Sequence, residues 1–350
     1  MTEKMIMKLK LLTAVFLLVA LITSGASAIT SYNWSTGTAA DWDDADGMNW
    51  LDELGTPVSK PNGLYEVKIR NPASTVRLDT VEGNWSYTGN GTRLRVYQAA
   101  TLNIVDGADL RGFGWIRIGE QSGTPEQIGT LNQSGGQIFL RNLKEKGKLC
   151  IGDGYGILHG STYTISGGTL TYNAADPCCE GQLMIGSRDG EGTFAVVGNA
   201  PVIQLRNLYV AGDPVGANDV YYNNGTATLK FLVGANGVSP INLNSTAYIN
   251  QGTNTLAKLI VSLTAAPPIG EDILLVNANS PIHGVFDSLN NGSAAEGAAI
   301  TLGFGSAFYN YTLTYTGGGD GNNIALLWVP EPATVAFICL GLLSVVRRRR

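Results

Sequence analysis

A stretch of seven to ten residues recurs four times in the middle of this chain, and a unit of that period cannot bury its apolar side without neighbours to stack on. The copies are Gly129-Thr-Leu-Asn-Gln-Ser-Gly-Gly-Gln-Ile, Ser161-Thr-Tyr-Thr-Ile-Ser-Gly-Gly-Thr-Leu, Gly192-Thr-Phe-Ala-Val-Val-Gly-Asn-Ala-Pro and a looser Gly225-Thr-Ala-Thr-Leu-Lys-Phe, starting 32, 31 and 33 residues apart. A weaker copy begins at Ala100. Between them runs a second marker, apolar-x-apolar-Gly, at Ile116–Gly119, Leu149–Gly152 and Leu183–Gly186, with the variant Leu208–Gly212. Each unit therefore holds about three short alternating runs parted by Gly-rich corners, a period of two that reads as strands. The reading is all-β: a parallel β-helix or solenoid of short repeats, with apolar side chains stacked inward coil upon coil. A propeller or a sandwich is the competing architecture, although a propeller blade usually takes about 40 residues and four strands.

Composition agrees with many strands and tight turns. Charged residues are only 15% and Gly numbers 45, and Gly reaches the positive φ that corners demand. The repeats predict a solenoid over residues 83–250. Before them, residues 29–82 have another texture: Trp34, Trp42 and Trp50 flank an acidic run from Asp41 to Asp46. Wide rings of this kind suit a cap over the first coil. After them, residues 251–328 read as a β-rich C-terminal cap, with antiparallel strands expected at 271–276, 282–286, 311–315 and 324–328.

Both ends stand apart. Lys4, Lys8 and Lys10 precede an uncharged apolar run from Leu11 to Ile22, and Ala26-Ser27-Ala28 follows. This order predicts a secretory signal peptide over residues 1–28, cleaved by signal peptidase after Ala28 with Ala26 and Ala28 in its small-residue pockets. At the other end, Pro330-Glu331-Pro332 leads into an apolar stretch and closes on Arg347, Arg348, Arg349 and Arg350. As a helix, residues 333–346 would reach only about 21 Å against a hydrocarbon core of about 30 Å. The arginines would hold the C-terminus in the cytoplasm and the rest of the chain outside.

These three elements in this order resemble the PEP-CTERM sorting signal over residues 329–350. The resemblance implies recognition by an exosortase, a membrane-embedded cysteine transpeptidase-like enzyme. It also implies transient anchoring in the inner membrane through the C-terminal helix, then export to the cell surface or an extracellular polysaccharide matrix. The Trp-rich opening resembles, in texture, autotransporter-like β-strand repeat proteins.

Charge narrows the partners further. The chain carries −5, and setting aside the signal segment and the four terminal arginines leaves −11. Nucleic acid, which needs a basic footprint, is excluded as a partner. Outside the tail the cysteines are Cys150, Cys178 and Cys179. The last two are adjacent, so a disulfide in an oxidising compartment is expected to join Cys150 to Cys178 or to Cys179. No Cys-x-x-Cys, His-Glu-x-x-His, Gly-x-Ser-x-Gly or P-loop string occurs, and the two histidines, His159 and His283, stand 124 residues apart.

The expectation is therefore a non-enzymatic protein, without a catalytic, cofactor or metal site. Glu120, Asp153 and Asp213 follow successive marker glycines, a recurrence that suits turn formers. A column of such acids would also suit Ca2+, but the Asp41–Asp46 run lacks the calcium-loop spacing. Eight Asn-x-Ser/Thr sequons, at Asn33, Asn84, Asn90, Asn132, Asn224, Asn244, Asn291 and Asn310, follow from composition. The body is read as structural or adhesive. The alternatives are a polysaccharide lyase or hydrolase on the same scaffold, or a glycan-binding module using residues such as Tyr221 and Tyr222.

Overall fold

The computed structural model describes short strands between residues 31 and 82 and, apart from a few loops, residues 93–330. Every regular element among the described residues is a strand, and the strands fall into three long sheets. The chain visits the sheets in rotation. One coil runs Trp115–Ile118 in the first sheet, Gly129–Gln133 in the second and Gln137–Leu140 in the third. The next runs Lys148–Ile151, Gly160–Ile165 and Thr169–Tyr172, each pairing in parallel with its counterpart in the coil before. The body is thus a parallel β-solenoid.

The markers meet in register. Ile116 pairs with Leu149, Leu149 with Leu183 and Leu183 with Leu208. Ala100 pairs with Gly129, and Ser161 with Gly192, as the repeats predict. The third step differs: Gly192 pairs with Ala227 and not with Gly225. That coil is two residues longer than the sequence spacing suggests. Since side chains alternate faces every residue, a slip of two keeps the apolar set inward, and the sequence pattern cannot detect it.

The glycine ending the first-sheet marker has a steric cause. Gly152 has φ +69°, and a Cβ there would lie 2.2 Å from the carbonyl oxygen of Glu191 in the next coil. Corner and neighbouring coil therefore touch backbone to backbone.

Inside, Leu102, Leu131, Tyr163, Phe194, Leu229, Leu259 and Leu289 form one stacked column behind the second sheet, all buried. Each such side chain contributes about 1.5–3 kcal/mol by leaving water. Tyr163 brings a hydroxyl into this column and donates its proton to Gln133 Oε1 at 2.5 Å. Gln133 Nε2 donates in turn to the carbonyl of Thr169 at 3.0 Å. Burial pushes the Tyr163 phenol well above its ordinary pKa.

Parallel stacking passes both expected limits of the solenoid. Ser31–Trp34 pairs with Glu66–Ile69, which pairs with Arg93–Val96, so coils already form within 29–82. Beyond 250, Leu256–Leu263 pairs in parallel with Thr226–Val233. Ile273–Ala278 is the point of conversion: it lies parallel to Ile241–Leu243 and antiparallel to Asn323–Trp328. Ala307–Gly317 pairs antiparallel with Asn323–Trp328 and with Ala299–Phe304. Residues 282–286 form no strand; His283 makes only a parallel bridge to Tyr248, prolonging the first sheet.

The cap is tied to the last coil by Tyr315. Its hydroxyl donates to the Ala294 carbonyl at 2.8 Å and accepts from the Phe286 N–H at 3.0 Å, and burial pushes its pKa up to about 12. The folded state therefore holds this proton more tightly than the unfolded chain, where tyrosine ionises near about 10. This contribution is complete below about pH 10 and is lost as pH rises to about 12. Thermal stability is expected to fall steeply between those values, less steeply in Tyr315→Phe; equal slopes would contradict the assignment.

Candidate functional site

The outward faces of the three sheets carry regular columns. On the second sheet, Thr101, Thr130, Thr162, Thr193 and Thr228 occupy equivalent places on five successive strands, and Thr75 extends the register by one. Neighbouring strands lie about 4.8 Å apart, so from Thr101 to Thr193 the column offers a half-buried hydroxyl and a methyl at each such step, whereas Thr228 is buried. Among the described residues none of the hydroxyls from Thr101 to Thr228 is held in a protein hydrogen bond. Two residues along, Asn103, Asn132 and Thr164 form a second column, in which Asn132 Nδ2 donates to Asn103 Oδ1 at 3.0 Å. On the third sheet Asn277 Nδ2 donates to Asn242 Oδ1 at 3.1 Å, again between coils.

The first sheet is built differently. Lys68, Arg95, Arg117, Cys150, Met184, Tyr209, Tyr248 and His283 follow one another in register along its outside. The Arg117 guanidinium lies 3.4 Å from the Trp115 ring centre, and Trp115 Nε1 donates to Cys150 Sγ at 3.1 Å. Cys150, Met184 and Tyr209 are buried together against Trp115 and Tyr248. The rings of Tyr209, Tyr248 and His283 stack at 5.1 Å per step, ending on an exposed His283.

Cys150 and Cys178 are not bridged, contrary to the expected disulfide. The register explains this. Leu149 and Ile151 point inward, so Cys150 points outward, 3.7 Å from Met184 Sδ. Cys178 sits exposed on the corner after Thr169–Tyr172, where its N–H donates to Asp176 Oδ1. Cys179 turns inward, and burial raises its thiol pKa.

Other predicted residues fall differently. Pro330 is described and exposed, directly after the last strand. The N–H of Val329 donates to the Asn310 carbonyl at 2.9 Å, and that of Trp328 to Asp272 Oδ1 at 2.8 Å. Ala26, Ala28, Glu331, Pro332 and Arg347–Arg350 lie outside the described residues, as do Glu120, Asp153, Asp213, His159, Tyr221 and Tyr222. Of the Asp41–Asp46 run only Asp41 is placed, in the strand Ala39–Asp41. Among the described residues no three of His, Cys, Asp and Glu converge on one point. Sequence reasoning missed the threonine column, although the copies beginning at Ala100, Gly129, Ser161 and Gly192 carry its Thr at their second position; the fourth copy contributes Thr228, its fourth residue.

Fold and tail together define a β-solenoid whose last strand, Asn323–Trp328, leads into a C-terminal peptide that ends in a basic cluster. Residues 329–350 match the PEP-CTERM protein-sorting motif. That motif marks an exported chain, processed by an exosortase and bound for the cell surface or the extracellular space. No curated protein and no solved structure matches the chain.

Proposed function

We propose that the mature protein is a non-catalytic structural or adhesive component of the envelope or extracellular polysaccharide matrix. The signal peptide carries the chain across the inner membrane and is cleaved after Ala28. The tail then halts in the bilayer with Arg347–Arg350 on the cytoplasmic side until the exosortase acts at the segment opened by Pro330-Glu331-Pro332. What supports the role of the body is the threonine column flanked by asparagines. From Thr101 to Thr193 the column carries one hydroxyl per coil and no charge of its own, with Glu191, Lys230 and Lys258 bordering its far end; it suits polyhydroxylated chains, and weak contacts summed along it give avidity that no single coil supplies.

Co-sedimentation of the mature protein with a panel of insoluble and soluble polysaccharides tests this reading. Retention on at least one polymer is expected, weakened about ten-fold or more when Thr101, Thr130 and Thr162 are replaced together by glutamate. The polymer should remain intact. Release of new reducing ends or unsaturated products would overturn the non-catalytic assignment in favour of a lyase or hydrolase.

A further inference from the structure

The tail leaves the folded body at the tip of a hairpin. Asn323–Trp328 runs antiparallel to Ala307–Gly317, so its C-terminal end arrives beside the Gly305–Ser306 turn that joins Ala299–Phe304 to Ala307–Gly317. The last backbone bond, Val329 N–H to the Asn310 carbonyl, places Pro330 within two or three residues of Phe308 across the ladder. Around this exit large apolar side chains stand in solvent: Phe308 is 66% exposed, Phe304 40%, Val329 40% and Leu327 37%. Thr312 pairs with Leu327 and Asn310 bonds to Val329, so Phe308, two residues before Asn310, shares one outward face with Leu327 and Val329. Trp328 and Tyr309, both half-buried, lie alongside.

Charge is sparse in this part of the sequence, although the Asp272 carboxylate accepts from the Trp328 N–H beside the exit. Residues 297–330 contain one charged residue, Asp320, in a stretch of 34 where the chain's 15% would place about five. An exposed apolar patch with so few charges in its sequence surroundings is costly in water and suited to a lipid boundary.

Chain length supplies the second, independent argument. Four residue steps separate Pro330 from Thr334, where the apolar stretch begins. At about 3.3–3.6 Å per extended residue they span at most about 14 Å. The polar zone of a bilayer is some 5–8 Å deep on each side. While the stretch is embedded, Pro330 is therefore held within about 14 Å of the hydrocarbon edge, no more than roughly 6–9 Å beyond the headgroups.

We infer that the hairpin tip, through Phe308, Leu327 and Val329 on one face and Phe304 on the other beside the turn, seats on the outer surface of the lipid bilayer in the unprocessed protein and holds the sorting motif at the membrane surface. The inference rests on the reading that residues 334–346 occupy the bilayer before processing. Contact is apolar, so it does not depend on anionic lipid. A short apolar stretch gains a second hold, and the Pro-Glu-Pro segment is presented at the depth where a membrane-embedded enzyme works. Release of the tail removes the tether and leaves the tip to let go.

The test uses the full-length chain reconstituted into phosphatidylcholine vesicles, with or without phosphatidylglycerol, and the variant Phe308→Trp. Resistance of the protein to alkaline extraction reports tail insertion separately from the tip. With the tail inserted, brominated phosphatidylcholine is expected to quench the added tryptophan by at least two-fold over the wild-type background, equally with and without phosphatidylglycerol. Phe304→Ser/Phe308→Ser should remain inserted but be processed several-fold more slowly by an exosortase-bearing membrane. An inserted Phe308→Trp chain whose added indole is unquenched would overturn the inference alone, as would processing of the double variant at the wild-type rate. Dimerisation through this face, lost in the double variant, would also overturn it. Extraction of the wild-type chain at alkaline pH would overturn the underlying tail reading as well.

Discussion

Gly152→Val is expected to destabilise the solenoid by about 3 kcal/mol or more. A β-branched residue at φ +69° is strained, and its Cβ would stand 2.2 Å from the Glu191 carbonyl oxygen. Neither contact can relax by rotating a side chain, because both parties are backbone. Separating the coils would disturb the parallel ladder on either side, from Cys150–Met184 to Ser161–Gly192. In a body of this size the melting temperature should fall by roughly 6–12 °C. Gly237→Ala provides the comparison: its φ is +82°, but a Cβ there meets nothing within 4 Å. Only the left-handed backbone strain remains, about 1–2 kcal/mol. Equal losses at the two positions in calorimetry would show that coil contact is not what excludes a side chain at Gly152.

Replacing Pro330-Glu331-Pro332 by three alanines is expected to abolish maturation, leaving a full-length form in the membrane fraction where nearly all of the wild type is processed. Val329 donates a backbone hydrogen bond to Asn310, and Pro330 follows it directly. Each proline fixes φ near about −65° and carries no N–H. Three alanines would remove both constraints and the carboxylate from the segment that opens the sorting motif. Immunoblotting of membrane and secreted fractions reads the outcome, and unchanged maturation would reject the sorting role of the motif.

Much of the solenoid is legible in the sequence because its cause is local. The first-sheet markers alternate apolar and outward residues and end on glycine. Alternation fixes both face and register, so Ile116, Leu149, Leu183 and Leu208 align from the sequence as they do in the sheet. The corners are harder to read. Loops of differing length between sheets leave the ladder intact while changing the spacing in sequence, which is why the repeat points to Gly225 for the position that Ala227 holds. The ends of the solenoid are obscured for a related reason. Leu256–Leu263 stacks in register with Thr226–Val233 but carries Leu, Ala and Lys where earlier copies carry Gly and Thr.

The threonine column and the Cys150 cluster show a different limit. Thr is an ordinary strand residue, and nothing in one copy says that five will align on one outer face. A pairing of Cys150 with the other cysteines follows from counting them, whereas its parity within Leu149-Cys150-Ile151 directs it away from the interior that Cys179 occupies. The sorting motif is legible whole, since its elements are contiguous and depend on no partner strand.

The most direct test of the account is the intact mass of the protein recovered from a host with its exosortase and from the same host lacking it. With the enzyme, the recovered polypeptide should begin at Ile29 and lack the apolar stretch with Arg347–Arg350. Without it, the chain should keep Arg350 and remain with the membrane. A secreted protein that carries Arg347–Arg350 in the enzyme-bearing host would contradict the assignment of residues 329–350 as a processed address on an exported β-solenoid.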